Sequence, residues 1–174
     1  MTGLIHIYCG DGKGKTTAAL GIVLRAISAK NKVLFVQFLK DGNSSELKTL
    51  SKFSNVKIIT GKGVDGFTFT MTDKEKEIVK KIHNNHLTEA IDICKNNNIG
   101  VLVLDEIIGA INLKLVDYNI LLDFLKNKPE NLEVIMTGRD PNKELIGIAD
   151  YVSEVKKIKH PYDKGIEARV GIDM

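Results

Sequence analysis

The stretch Leu4-Ile5-His6-Ile7-Tyr8-Cys9-Gly10-Asp11-Gly12-Lys13-Gly14-Lys15-Thr16-Thr17 decides the fold. An apolar strand empties into a glycine-rich turn ending Gly-Lys-Thr, and a helix-forming run reaches from there to Ala29. Glycines let successive backbone N–H groups point inward with no Cβ in the way. The exposed helix N-terminus adds unpaired donors and partial positive charge. A strand, turn and helix of this kind are built to hold the phosphates of a nucleoside triphosphate. Gly10, Asp11, Gly12, Lys13, Gly14 and Thr17 form the cradle, Lys15 would reach the β and γ phosphates, and the Thr16 hydroxyl would sit on a bound Mg2+. One position departs from the usual spacing. Cys9 stands where the first glycine is expected, so the loop is predicted to curve differently from that of an ordinary kinase.

Outward from this segment, strands and helices alternate, which implies an α/β fold with a mostly parallel sheet and helices on both faces. Strands are predicted at Leu4–Cys9, Lys32–Phe38, Val56–Thr60, Gly100–Asp105, Leu132–Thr137 and Tyr151–Lys157. Most are continuous apolar runs, as strands covered on both faces should be. Helices are predicted at Lys15–Ala29, Asp73–Asn96, a short stretch after Glu106, Tyr118–Leu125 and Pro141–Ile148. Thr72 and Glu75 make a capping box for the longest helix, with Ile78, Ile82, Ala90, Ile91 and Cys94 as its apolar stripe. Pro141 behind Asp140 reads as a first-turn proline after an aspartate cap. Two glycine-punctuated loops, Lys40–Glu46 and Gly61–Met71, are long enough to carry function.

At 174 residues, 43% hydrophobic and 27% charged, the chain has the size and composition of one soluble domain, here residues 1–174. A net charge of +3 is too small to argue for nucleic acid and suits an anionic small molecule as well. Lys156, Lys157 and Lys159 read as a solvated face. Cys9 and Cys94 form neither a disulfide framework nor a zinc spacing and read as small core residues. No signal peptide or membrane-length apolar run is visible, so the expected location is cytoplasmic, with no membrane partner.

Val101-Leu102-Val103-Leu104-Asp105-Glu106 places two carboxylates at the end of a buried strand. Behind a phosphate loop in a parallel sheet, such a pair can bind Mg2+ directly or through water, with either Asp105 or Glu106 the nearer ligand. Thr137-Gly138-Arg139 ends another strand on that edge, making Arg139 a phosphate or carboxylate candidate. Arg25, ten residues past Lys15, reaches the nucleotide only if its helix bends back. His83 and His86 have no third ligand of suitable spacing and read as residues of a solvated helix face.

The phosphate loop leaves the reaction unnamed, and the guanine-reading Asn-Lys-x-Asp pattern is missing. Several segments occur in a telling order: the loop through Ala19, then Val36-Gln37-Phe38, Gly66-Phe67-Thr68-Phe69, Leu104-Asp105-Glu106 and Thr137-Gly138-Arg139. Lys159-His160-Pro161-Tyr162, Lys164-Gly165-Ile166 and Gly171-Ile172-Asp173 close the chain. This resembles the P-loop family of ATP:corrinoid adenosyltransferases over nearly the whole chain. The resemblance implies a RecA-like fold and transfer of the 5′-deoxyadenosyl group of ATP to Co(I) of a reduced corrinoid, releasing triphosphate. The nucleophile then belongs to the corrinoid, so no general base is required of the protein. By matching position, Thr16 and Glu106 resemble the family's Mg2+ ligands, Lys13 and Lys15 its phosphate contacts, and Arg25 a nucleotide-contacting arginine. Phe67 and Phe69 match two aromatic positions that displace the corrinoid's lower axial ligand. The resemblance further implies an electron donor such as a flavoprotein, and a homodimer in some relatives. The family commonly has Asn where this chain has Asp11, and some relatives carry a helix ahead of the first strand.

Overall fold

The computed structural model describes residues 2–63 and 71–173. Six parallel strands form one sheet: β1 (Ile5–Cys9), β2 (Val33–Gln37), β3 (Val56–Ile59), β4 (Val101–Asp105), β5 (Glu133–Thr137) and β6 (Tyr151–Glu154), in the order β3-β2-β4-β5-β1-β6. The helices are α1 (Lys15–Ser28), α2 (Ser45–Leu50), α3 (Asp73–Asn96), α4 (Ile107–Asn112), α5 (Tyr118–Lys126) and α6 (Lys143–Ile148). Every residue of β2 and β4 is buried, as their unbroken apolar runs require of central strands covered on both faces. Ala19, Val23 and Ala26 of α1 pack with Phe35, Val103 and Ile135 on one face, while Leu87, Ala90 and Cys94 of α3 pack with Leu34, Leu102 and Leu104 on the other. Because all strands run the same way, their carboxyl ends gather on one edge. β1 and β4 deliver the phosphate loop and the carboxylate pair to that edge, with β5 between them.

Local details differ from the sequence reading for physical reasons. The strand predicted at Tyr151–Lys157 stops at Glu154 and is exposed throughout, since as an edge strand it pairs only with β1. Residues 45–50, partly assigned to a loop, form α2, whose Leu47 and Leu50 are buried. Asn142, not Asp140, caps α6: its side chain accepts from the Leu145 N–H at 2.8 Å, while Asp140 takes a left-handed turn. The capping box of α3 is present as expected, with Thr72 and Glu75 each accepting the other's backbone N–H. The buried stripe of α3, however, runs through Val79, His83 and Leu87 before Ala90, Ile91 and Cys94. The i, i+4 spacing of those first three carries His83 inward, and Ile78 is left exposed. Among the described residues, no helix is long and apolar enough to cross a membrane.

Candidate active site

The phosphate loop is shaped as much by its neighbour in space as by any ligand. A Cβ on Gly10 or Gly12 would run into the backbone of Val155 and Lys156, because the chain leaving β6 lies against the loop. Gly12 N–H donates to the Val155 carbonyl at 2.8 Å, and Val155 N–H donates to the Cys9 carbonyl at 2.8 Å. Asp11 turns to the same segment and accepts the Lys157 N–H at 3.0 Å. That hydrogen bond holds its carboxyl below the usual range, with the Lys157 and Arg139 charges adding to it. Gly14 differs: at φ 124 it turns the chain into α1, and no side chain caps the helix. The opening N–H groups of α1 are thus left to an anion.

Lys15 is buried and donates to the Gly12 carbonyl at 2.8 Å, closing the loop on itself. Burial pushes its ammonium pKa down, and the Arg139 charge pushes the same way, against the pull of Glu106. Lys13 reaches out of the loop and pairs with Asp173 at 2.7 Å. Asp173 is also bound by Arg169, which folds the end of the chain back toward the loop.

Asp105 is the hub of the site. It is fully buried at the end of β4 and its two oxygens meet four donors. Oδ1 accepts from the hydroxyls of Thr16 and Thr137, each at 2.8 Å, and Oδ2 from Gln37 Nε2 at 3.3 Å and Lys40 Nζ at 2.9 Å. A buried carboxylate is tolerated only when paired and hydrogen-bonded, and here α1, β2, β5 and the turn after β2 each send a partner. The Thr137 hydroxyl also accepts the Glu106 N–H at 2.8 Å. Glu106 sits at φ 61, a left-handed conformation costing an L-residue on the order of 1–2 kcal/mol. Burial pushes its carboxyl pKa up, Asp105 pushes it further, and Lys40, Lys15 and Arg139 oppose them.

Asp105 meets the Thr16 hydroxyl and Glu106 is the next residue along, so the site offers hard oxygens, and a further cation would favour the ionised form of the buried Glu106 carboxyl. This donor set fits Mg2+, which takes one or two carboxylates and fills its octahedron with phosphate oxygens and water. No cluster of three or more His, Cys, Asp or Glu that could form an all-protein metal cage occurs among the described residues. Arg139 is exposed on the same edge, close enough for its charge to act on Asp11, Lys15 and Glu106.

Some expected residues lie elsewhere. Arg25 is not brought to the phosphate loop. It sits near the far end of α1 and lines a cavity of about 710 Å³ with Gly3, Lys32, Asn98, Asn131 and Glu133, at the strands' amino ends. Ten residues of helix α1 separate it from Lys15, about 15 Å of rise. His83 is not on a solvated face, and His86 is half-buried. His83 is wholly buried, accepts the Leu39 N–H through Nε2 at 3.3 Å, and meets Phe38 edge-on. Phe67 and Phe69 lie outside the described residues. The residues that pattern reading missed are Gln37, Lys40 and Thr137. Each ends a strand or follows one, and only strand order shows that all three converge on Asp105.

Residues 1–174 match the family model described as "ATP:corrinoid adenosyltransferase BtuR/CobO/CobP". The chain is 32% identical to a corrinoid adenosyltransferase of Sinorhizobium sp., over 98% of this chain and 80% of the relative. It is 29% identical to the corrinoid adenosyltransferases of Escherichia coli K12 and Salmonella typhimurium LT2, over 98% of this chain and 85% of each relative. Among solved structures, a KaiC-like protein of Pyrococcus horikoshii aligns with TM-score 0.54 and 20% identity over 91% of this chain and 75% of its own. EssC ATPase domains 2 and 3 of Geobacillus thermodenitrificans align with TM-score 0.53 and 14% identity over 98% of this chain and 35% of theirs. At such identities these structures speak for the fold alone, a RecA-like P-loop α/β architecture.

Proposed function

The chain belongs to the ATP:corrinoid adenosyltransferase family, and on that premise we propose that it moves the 5′-deoxyadenosyl group of ATP onto Co(I) of a reduced corrinoid, releasing triphosphate. The observation carrying this reading is the convergence of Lys15, Thr16, Asp105 and Glu106 at one sheet edge, in a chain that matches the family from end to end. The loop amides and Lys15 bind the phosphate chain, with Lys13 free to join them once it leaves Asp173. Thr16 and Glu106 would hold Mg2+, with Asp105 fixing the Thr16 hydroxyl, and the metal when bound neutralises phosphate charge. Arg139 lies where it can add positive charge on the same edge.

The protein's task is positioning and charge stabilisation. The incoming electron pair comes from cobalt, so the site needs no general base. What it must supply is fixed positive charge for a triphosphate whose bond to C5′ is breaking. Ammonium groups and loop amides gathered around the phosphates supply that charge. Phe67 and Phe69 are proposed to face the corrinoid's lower side, where apolar bulk disfavours an axial ligand and eases reduction of cobalt. An external donor such as a flavoprotein would supply those electrons.

The test is product identity. Incubated with MgATP and chemically reduced cobalamin, the enzyme should yield adenosylcobalamin and inorganic triphosphate in equal amounts. ADP as the product, with the corrinoid unchanged, would replace this reading with phosphoryl transfer. Lys15→Ala should abolish either activity.

A further inference from the structure

Lys40 is a cation of the site that the phosphate-loop pattern does not account for. It follows β2, whose last residue Gln37 stands in register with Asp105. Its Nζ lies 2.9 Å from Asp105 Oδ2, while the Thr16 hydroxyl lies 2.8 Å from Oδ1 of the same carboxylate. The ammonium is therefore one carboxylate's width from the hydroxyl assigned to the metal. Its side chain is 31% exposed whereas Asp105 is 0% exposed, so a partly exposed lysine reaches a buried carboxylate. Its charge is felt at Glu106.

Two further features indicate that Lys40 is deliberately aimed. Leu39, the residue before it, sits at φ 60, an uncommon conformation for a branched side chain. Such strain persists only where the surroundings over-determine it, and it clusters at functional sites. Here the turn is held by the Leu39 N–H donating to buried His83, and by Leu39 lying beside Gly109 of α4, which also adjoins the Glu106 carboxylate. Asp105, for its part, already has three neutral donors in Thr16, Thr137 and Gln37, close to the capacity of a carboxylate. Holding a long lysine side chain on the same carboxylate costs it rotamer freedom.

We propose that Lys40 is a catalytic residue of the transfer, its ammonium moving from Asp105 to contact the departing triphosphate. This inference rests on the adenosyl-transfer reading. In the step concerned, a cobalt electron pair forms the Co–C5′ bond as the C5′–O bond breaks. The bonding pair leaves with the triphosphate oxygen, where negative charge grows. Co(I) is thereby oxidised to Co(III), and no proton moves. Lys40 meets the growing charge as a full cation, in the manner of the charged clamps that stabilise leaving phosphates.

Two measurements test it. In the wild-type enzyme, saturating magnesium tripolyphosphate should slow acetylation of Lys40 by an amine-reactive ester at least about fivefold, read by mass spectrometry. Lys40→Met, assayed with pre-formed Co(I) cobalamin, should lose about a hundredfold in kcat while KM for ATP stays within about threefold. A purely structural lysine would lower the melting temperature and leave kcat per folded molecule intact. Unchanged Lys40 labelling, or a folded Lys40→Met enzyme with wild-type kcat, overturns the proposal. If the variant does not fold, labelling of the wild type decides. Should the wild type release ADP instead of triphosphate, the parent reading fails with its chemistry, while the labelling, which needs no turnover, still reports whether Lys40 meets a phosphate chain.

Discussion

Thr137→Val is the substitution whose consequence can be worked most directly from the geometry. Valine keeps the shape and buried volume of the side chain and removes one hydroxyl. That hydroxyl donates to Asp105 and accepts the Glu106 N–H, both at 2.8 Å, with Thr137 fully buried. Orphaning a buried N–H costs about 1–3 kcal/mol, and a hydrogen bond to a charged group contributes about 1.5–3 kcal/mol. Asp105 keeps Thr16, Gln37 and Lys40, so the second loss falls toward its lower end, for a total of about 3 kcal/mol. At about 2–4 °C per kcal/mol for a chain of this size, the melting temperature should drop by about 6–12 °C. Thr137→Ser is the control. It retains the hydroxyl, gives up a methyl group, and should lose about 1 kcal/mol. Calorimetry of both variants gives the comparison, and turnover should fall more for Val than for Ser because Glu106 loses its anchor. If Val and Ser melt together, the hydroxyl does not organise Asp105 and Glu106 as argued.

Three further outcomes are expected. Glu106 has a folded-state pKa above its ordinary value, so the native state holds a proton there that the unfolded chain has already lost. Stability therefore falls as pH rises through that window, and Glu106→Gln should melt higher than wild type at pH 7, the gap closing in acid, while turnover drops about a hundredfold. Melting curves across pH check the first part and the corrinoid assay the second. His83 has the opposite sign: burial, with the neighbouring charges of His86 and Lys62, lowers it from 6.5 to about 4. The unfolded chain takes up a proton that the native state refuses, so stability is lost as pH falls from about 6.5 to 4, by about 3 kcal/mol in full. His83→Gln keeps an acceptor for Leu39 without titrating and should flatten the stability profile there; an unchanged slope in urea titrations would refute this. Gly12→Ala puts a Cβ 2.8 Å from backbone atoms of Val155 and Lys156. It should destabilise by about 1–3 kcal/mol through displacement of the chain after β6, measurable as a lower urea midpoint.

The fate of each residue type follows from how local its signal is. The Asp140–Pro141 pair reads as a cap, yet the Asn142 side chain competes and reaches the Leu145 N–H three residues on. Proline at a first helical turn is permitted, not required. Arg25 shares a helix with Lys15, but ten residues of helix rise separate the two and leave it at the strands' amino ends. His83 lies inward because the Val79–Leu87 line packs, whereas the isoleucines at 78 and 82 draw the apolar pattern one step aside. A histidine can enter such a line when its ring finds one backbone donor, here the Leu39 N–H.

Strand periodicity, glycine spacing and motif order are written contiguously along the chain, and they carry the parallel α/β architecture, the phosphate loop, the carboxylate pair and the family. It takes the folded chain to set Gln37, Lys40, Thr16 and Thr137 around one buried Asp105, to make room at Gly10 and Gly12 for the chain beyond β6, and to return Asp173 to Lys13. The reason is physical. Which strand ends become neighbours is set by the order β3-β2-β4-β5-β1-β6, and that order comes from packing two helical layers on a twisted sheet, which no short window of residues encodes.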